Sequence, residues 1–210
     1  MERREKRDTL DVLTWALLDD PSFVAMFGSD PTRRRRPLRT LNSVIISGMT
    51  QPPFVARIGN RIVGAAAVSP PDTCFYRQMQ THTRRFRFAG RTMTVEMPLL
   101  SLGQIVGLLS LGLKALERAS VVGNSGIEHD PAGRHWHIEL LGVEPALQSQ
   151  GIGGKLMEAV QRQADAAGEP LHLETAKPEN VSFYQHRGFE VTAETCPLGV
   201  TMWQMDRPAA

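Results

Sequence analysis

Cysteine is scarce in this chain: Cys74 and Cys196 are the only two among 210 residues. Their separation fits neither a metal-ligand nor a redox spacing, so they read as two reduced thiols. No uninterrupted run of about 18 apolar residues occurs, and no membrane-spanning helix or membrane partner is expected. The N-terminal M-E-R-R-E-K-R-D is charged where a secretion signal needs an apolar core, which points to a cytoplasmic protein. Strong charge of one sign is also missing. A formal net charge of +2 argues against a nucleic-acid partner. The run Arg33, Arg34, Arg35, Arg36 is expected on a solvated face, with contact to an anionic substrate or a cofactor phosphate as the other option. Repeats and low-complexity linkers are lacking too. One domain over residues 1–210 is expected, with 41% hydrophobic residues to fill its core.

Helical and strand-like patterns fill the chain. Residues 8 to 19 have helical spacing, with Leu10, Leu13, Trp15 and Leu17 available for a core face. A second helix is expected around Leu38, Leu41, Val44 and Ile45. Residues 54 to 58 and 61 to 68 are strand-like and joined by Gly59-Asn60, a dipeptide suited to a hairpin turn. Residues 72 to 97 are mixed, with a short strand at 84 to 88 and a turn at Ala89-Gly90. From 99 to 118 the pattern predicts one helix whose apolar face includes Leu102, Ile105, Val106, Leu109, Leu113 and Leu116. Residues 123 to 134 read as a loop leading into a strand over 135 to 143.

The most informative segment follows that strand. Residues 144 to 154 read E-P-A-L-Q-S-Q-G-I-G-G, a turn that ends an apolar run and opens an amphipathic helix. Gly151, Gly153 and Gly154 let the backbone approach a ligand, and the partial positive charge of a helix start favours an anion such as phosphate. The stripe Ile152, Leu156, Val160, Ala164 recurs every fourth residue and closes near Gly168. Leu171-His172-Leu173-Glu174-Thr175 then alternates as a strand, and Pro178-Glu179-Asn180 opens a short helix carrying Phe183 and Tyr184.

The pattern Gln148-x-x-Gly151-x-Gly153, followed by Asn180-x-x-Phe183-Tyr184-x-x-x-Gly188-Phe189, resembles the GNAT superfamily of acyl-CoA-dependent N-acetyltransferases. His135-Trp136, Leu141-Gly142-Val143-x-Pro145, Leu173-Glu174-Thr175 and Met202-Trp203-x-Met205 resemble, more narrowly, its puromycin N-acetyltransferase group. The likeness covers about residues 129 to 208, with a looser match before residue 70. Residues 71 to 128 diverge and are expected to line the acceptor side. The resemblance implies an α/β fold with a mixed, mostly antiparallel sheet, in which the strands 135 to 143 and 171 to 176 run parallel and splay apart. It further implies acetyl-CoA as co-substrate, with no metal. Main-chain groups of Leu141, Gly142 and Val143 would pair with the pantetheine arm. Gln148, Ser149, Gln150, Gly151, Ile152, Gly153 and Gly154 would bind the pyrophosphate, with Asn180 and Tyr184 close by. Superfamily members usually begin with a strand, for which the charged leader here is poorly suited.

Strand alternation places His137, Glu139, Leu141 and Val143 on one face, so His137 and Glu139 become candidate bases. A base is needed because an amine with a pKa of about 10.4 is protonated at neutral pH and attacks only as the free base. Tyr184 occupies the position where the family keeps a proton donor to the departing thiolate. Neither cysteine lies in these motifs, which favours direct transfer in a ternary complex over an acyl-cysteine. His135 and His137 share a face, but no third residue has zinc-ligand spacing. The reading is therefore an N-acetyltransferase acting on a primary amine of a small molecule. A protein or peptide N-acetyltransferase and a non-catalytic acyl-CoA-binding sensor are the alternatives. The acceptor and the oligomeric state are not legible.

Overall fold

The computed structural model describes residues 2–75, 81–88, 91–98 and 102–210, with 81–98 described as backbone. The chain begins with helix α1 (Arg3–Ala16), and among the described residues no strand precedes it. Helices α2 (Pro21–Phe27) and α3 (Pro31–Gly48) follow, each opened by an aspartate whose side chain accepts from first-turn amides and by proline at the first helical position. Helix α1 thus starts and stops earlier than the spacing of residues 8 to 19 suggests, and Trp15 is exposed, with the Arg35 guanidinium over its ring, rather than in the core.

Strands β1 (Phe54–Ile58) and β2 (Arg61–Ser69) form the expected hairpin, with Gly59 at φ +57° in the turn. Strands β3 (Thr81–Phe88) and β4 (Arg91–Pro98) make a separate antiparallel pair. The expected turn at Ala89-Gly90 lies outside the described residues. The single helix expected over 99 to 118 is instead two, α4 (Leu102–Leu109) and α5 (Leu113–His129), split where Gly112 takes φ +83°. Leu102, Val106, Leu109 and Leu113 are exposed, whereas Leu108 is buried. Helix α5 runs through most of the stretch read as a loop from 123 to 134.

The C-terminal half follows the expected order through β5 (Trp136–Val143), α6 (Ile152–Ala167), β6 (Leu171–Thr175) and α7 (Pro178–Gln185), and closes with two strands, β7 (Glu190–Thr195) and β8 (Met202–Arg207). Gly168, left-handed at φ +66°, ends α6 where the apolar stripe stops. Six strands form one mixed sheet in the order β1-β2-β5-β6-β8-β7. All neighbours are antiparallel except β5 and β6, whose parallel ladder pairs Trp136 with Leu171 and His137 with His172 and then ends. From that rung the two strands diverge.

Helices cover both faces of this sheet. Leu156, Met157 and Val160 of α6 pack with Ala66, Ile138 and Leu173, while Leu10 and Leu13 of α1 and Val44 and Ile45 of α3 pack with Ala65, Ala67 and Leu140. Strand β5 lies close under α1. A Cβ on Gly142 would come within 2.6 Å of the Ala16 Cβ, so glycine is required there by contact.

A β-bulge breaks the alternation expected along β5. Ala67 pairs with Leu140 and Val68 with Ile138, leaving Glu139 as the extra residue. Leu141 therefore packs with the α6-side cluster, as does Val143, whereas Leu140 packs with α1 and α3. His137 and Glu139 do not share a face with Leu141 and Val143, contrary to simple alternation. Both cysteines are free, Cys74 buried and Cys196 exposed. Among the described residues no helix is long and apolar enough to cross a membrane.

Candidate active site

Where β5 and β6 part, a cleft of roughly 180 Å³ opens. His137, Glu139 and Leu141 line it from β5, Glu174 and Thr175 from β6, and Asn180 and Tyr184 from α7. The far wall is apolar and comes from the N-terminal helices and α5, including Phe23, Met26, Ile45, Leu116 and Val122. The divergent stretch thus reaches the cleft through Phe75 and α5.

The turn into α6 has the backbone an anion site needs. Ser149 (φ +60°) and Gly151 (φ +80°) are both left-handed, which turns successive amides toward one side ahead of the helix start. Gly153 has open space at its Cβ position, with Phe183 and Val143 atoms no nearer than 3.8 Å, so a ligand can approach the bare backbone there. At Gly154 a Cβ would meet the Arg187 guanidinium at 2.8 Å. Gln148 donates its side-chain amide to the Val143 carbonyl at 3.1 Å and so clasps the turn to the end of β5. Gln150 is exposed and Ile152 half-buried at the helix start. These features fit a pyrophosphate bound mainly by main-chain groups.

Asn180 donates to the Thr175 hydroxyl at 3.2 Å, tying the start of α7 to the end of β6. One turn on, Tyr184 is buried between Phe183 and Phe189, with ring centroids 5.1 and 5.6 Å away. Burial, reinforced by the Asp20 carboxylate, pushes the phenol well above its ordinary pKa, so it stays protonated.

Glu139 accepts the Ser69 hydroxyl at 2.8 Å and the Phe75 amide at 2.7 Å, both at Oε1. Burial pushes its carboxyl upward, and the His137 charge and these two bonds only partly offset that. The bulge thereby turns a carboxylate into the cleft from the strand that lies along its floor.

Below Glu139 lies a polar cluster that the one-dimensional reading missed. Ser69, His137, His172 and Asp206 stand side by side on one rung across β2, β5, β6 and β8. His137 Nε2 is 3.0 Å from Glu174 Oε2, His172 Nδ1 is 2.5 Å from Asp206 Oδ1, and His135 Nε2 is 3.0 Å from Asp130 Oδ1. Burial disfavours charge on His137, yet the Glu174 and Glu139 carboxylates and its bonds to Asp130 and Cys74 raise its pKa. Burial likewise opposes ionisation of Glu174 and Asp130, but the facing imidazoles outweigh it and hold both carboxyls far below the usual range. The cluster thus favours positive charge among its carboxylates. The alternation in Leu171-His172-Leu173-Glu174 was a visible signal that His172 and Glu174 share a face, but nothing in the sequence says that this face meets His137.

Elsewhere, Arg34 proves to be structural. It is buried and donates to the Leu18 and Gly28 carbonyls, each at 2.6 Å, and to Asp19 at 2.8 Å, closing the turns around α2 rather than holding a phosphate.

Solved structures with this architecture include one from Corynebacterium glutamicum described as histone acetyltransferase HPA2 and related acetyltransferase. It is 18% identical, with a TM-score of 0.64 over 100% of this chain and 94% of that one. The polyamine N-acetyltransferase of Drosophila melanogaster is 14% identical, with a TM-score of 0.56 over 95% and 94%. The ribosomal-protein-S18-alanine N-acetyltransferase of Escherichia coli is 11% identical, with a TM-score of 0.52 over 100% and 91%. At these identities the likeness establishes the fold alone. The acetyltransferase (GNAT) domain model matches residues 101–207, just over half of the sequence and the part that contains the splayed strands, the glycine turn and Tyr184. By that match the chain belongs to the GNAT acetyltransferase family.

Proposed function

We propose that this chain is a cytoplasmic, single-domain N-acetyltransferase that moves an acetyl group from acetyl-CoA to the primary amine of a small molecule by direct transfer. The observation that carries the reading is the cleft between β5 and β6, an apolar chamber with a carboxylate floor, together with the backbone anion cradle in the turn that follows β5. Leu141, Gly142 and Val143 offer the unpaired edge of β5 to the pantetheine arm, and residues 148 to 154 with Asn180 hold the phosphate end. The small, largely apolar chamber favours a small acceptor over a protein. The chamber walls favour an amine with an apolar body, its ammonium drawn toward Glu139 and Asp20.

Acetyl-CoA supplies an activated thioester. Glu139, with His137 as the neighbouring candidate, takes a proton from the ammonium to free its lone pair before the carbon–nitrogen bond forms. Tyr184 gives a proton to sulfur as the carbon–sulfur bond breaks and is restored by the second proton that nitrogen then loses. Such positioned proton transfers contribute about 10²–10⁴-fold each. Thiol release from acetyl-CoA, assayed with the purified chain against a panel of small amines and short peptides, tests the reading. Release with apolar primary amines supports it, and release with peptides alone refutes the small-molecule acceptor.

A further inference from the structure

We infer that His137, His172 and Glu174 hold a divalent transition-metal ion of the Zn²⁺ type at the closed end of the cleft. One donor atom from each of the three side chains lies within 4.8 Å of the others, and the side chains are 1%, 0% and 8% exposed. A tetrahedral ion with bonds of about 2.0–2.2 Å sets its ligand atoms about 3.3–3.5 Å apart. The Glu174 carboxylate faces both rings near that spacing, with Oε2 3.0 Å from His137 Nε2 and Oε1 3.7 Å from His172 Nε2.

The second of these contacts argues most directly for a cation. His172 Nδ1 lies 2.5 Å from Asp206 Oδ1, which turns Nε2 toward Glu174. Both His172 Nε2 and Glu174 Oε1 are buried with no hydrogen-bond partner. Their 3.7 Å separation is close to the spacing of two ligand atoms on one such ion. A metal ion between them satisfies both.

The surroundings match what such sites require. Each ring is backed by a carboxylate on its other nitrogen: Asp206 at His172, and Asp130 at His137, where Oδ1 lies 3.7 Å from Nδ1. Carboxylates in that position fix the ring orientation and raise ligand basicity. Glu174 and Asp130 are nearly buried, and a dication would take over from imidazolium charge in offsetting them. Two histidines and one glutamate make three protein ligands, the number that leaves one position open, and His137 and Glu174 both border the cleft. Zinc-ligand spacing failed in the sequence because the ligands come from two strands brought together by the parallel rung. An ion on His137 leaves Glu139 as the base, a consequence that rests on the proposed acetyl transfer. The ion site itself does not.

The test is a Co²⁺ titration of the full chain after chelator treatment and dialysis, followed by visible and near-ultraviolet absorption. One Co²⁺ per chain is expected, with d–d bands of nitrogen and oxygen ligation and no thiolate charge-transfer band, and stoichiometric Zn²⁺ should displace it. No binding by the folded chain would overturn the assignment. So would a thiolate band, because it would move the ion to the grouping of Cys74, Asp130 and His137. Asp206→Asn leaves all three ligands in place and should weaken Co²⁺ binding about 10–100-fold. Unchanged affinity in both Asp206→Asn and His172→Gln would likewise overturn it.

Discussion

His172 stands opposite His137 on the last paired rung between β5 and β6, their ring centroids 5.0 Å apart and their planes at 78°. Beyond this pair the strands separate, so the same rung closes the sheet below and founds the cleft above. Polar residues at this junction keep the floor hydrogen-bonded while the strand ends diverge around a ligand. The bulge at Glu139 lies two residues further along β5 and turns a second carboxylate to the same side.

Tyr184→Phe should preserve acetyl-CoA affinity and lower kcat about 10²-fold, the loss expected when a general acid is removed and the ring kept. Calorimetric titration with acetyl-CoA and steady-state rates on the same preparation check both halves. A fully active variant would remove Tyr184 from proton transfer.

Gly153→Val should fold, because the nearest atoms to an added Cβ are 3.8 Å away, yet its side chain would stand where the phosphate end approaches the backbone. A clash of about 1–3 kcal/mol corresponds to roughly 5–150-fold weaker acetyl-CoA binding. Unchanged affinity in a folded Gly153→Val would move the phosphates away from this turn.

Gly123 lies inside α5, borders the cleft and has no atom within 4 Å of a built Cβ. Gly123→Ala should raise stability by about 1 kcal/mol through helix propensity, read as a higher Tm. Gly123→Leu should fill the acceptor chamber and raise KM for bulky amines while leaving acetyl-CoA affinity unchanged. A variant that loses acetyl-CoA binding and keeps its amine preference would contradict the division of the cleft.

Arg207 clasps Asp165 through two bonds, at 2.7 and 3.0 Å, and ties β8 to the last turns of α6. The guanidinium holds the Asp165 carboxyl below its ordinary pKa. A depressed folded-state pKa gives stability that is present above the unfolded value, about 3.9, and lost as pH falls through the folded one. Asp165→Asn should therefore cost about 1 kcal/mol at neutral pH and progressively less in acid. Thermal unfolding of both proteins at several pH values measures the difference.

The C-terminal half was legible because its signals are local. The four-residue stripe of α6, its closing Gly168 and the glycines before it depend on neighbours in sequence, and each falls where expected. The chamber was not, for three physical reasons. A bulge at Glu139 reverses side-chain parity along β5, which alternation cannot anticipate. Gly112 at positive φ splits an apolar stretch that reads as one helix. His172 and Asp206 meet His137 across strands far apart in sequence, so the rung exists only in the sheet. Arg34 shows the same limit: a basic run suggests a solvated face, yet one of its members is buried against two carbonyls and an aspartate.

The central claim, direct acetyl transfer within the cleft, is tested most directly by initial rates of thiol release over a matrix of acetyl-CoA and apolar primary amine concentrations. The account predicts release only when both are present, with intersecting reciprocal plots that mark a ternary complex. Release with acetyl-CoA alone, parallel plots, or no release with any amine would contradict it.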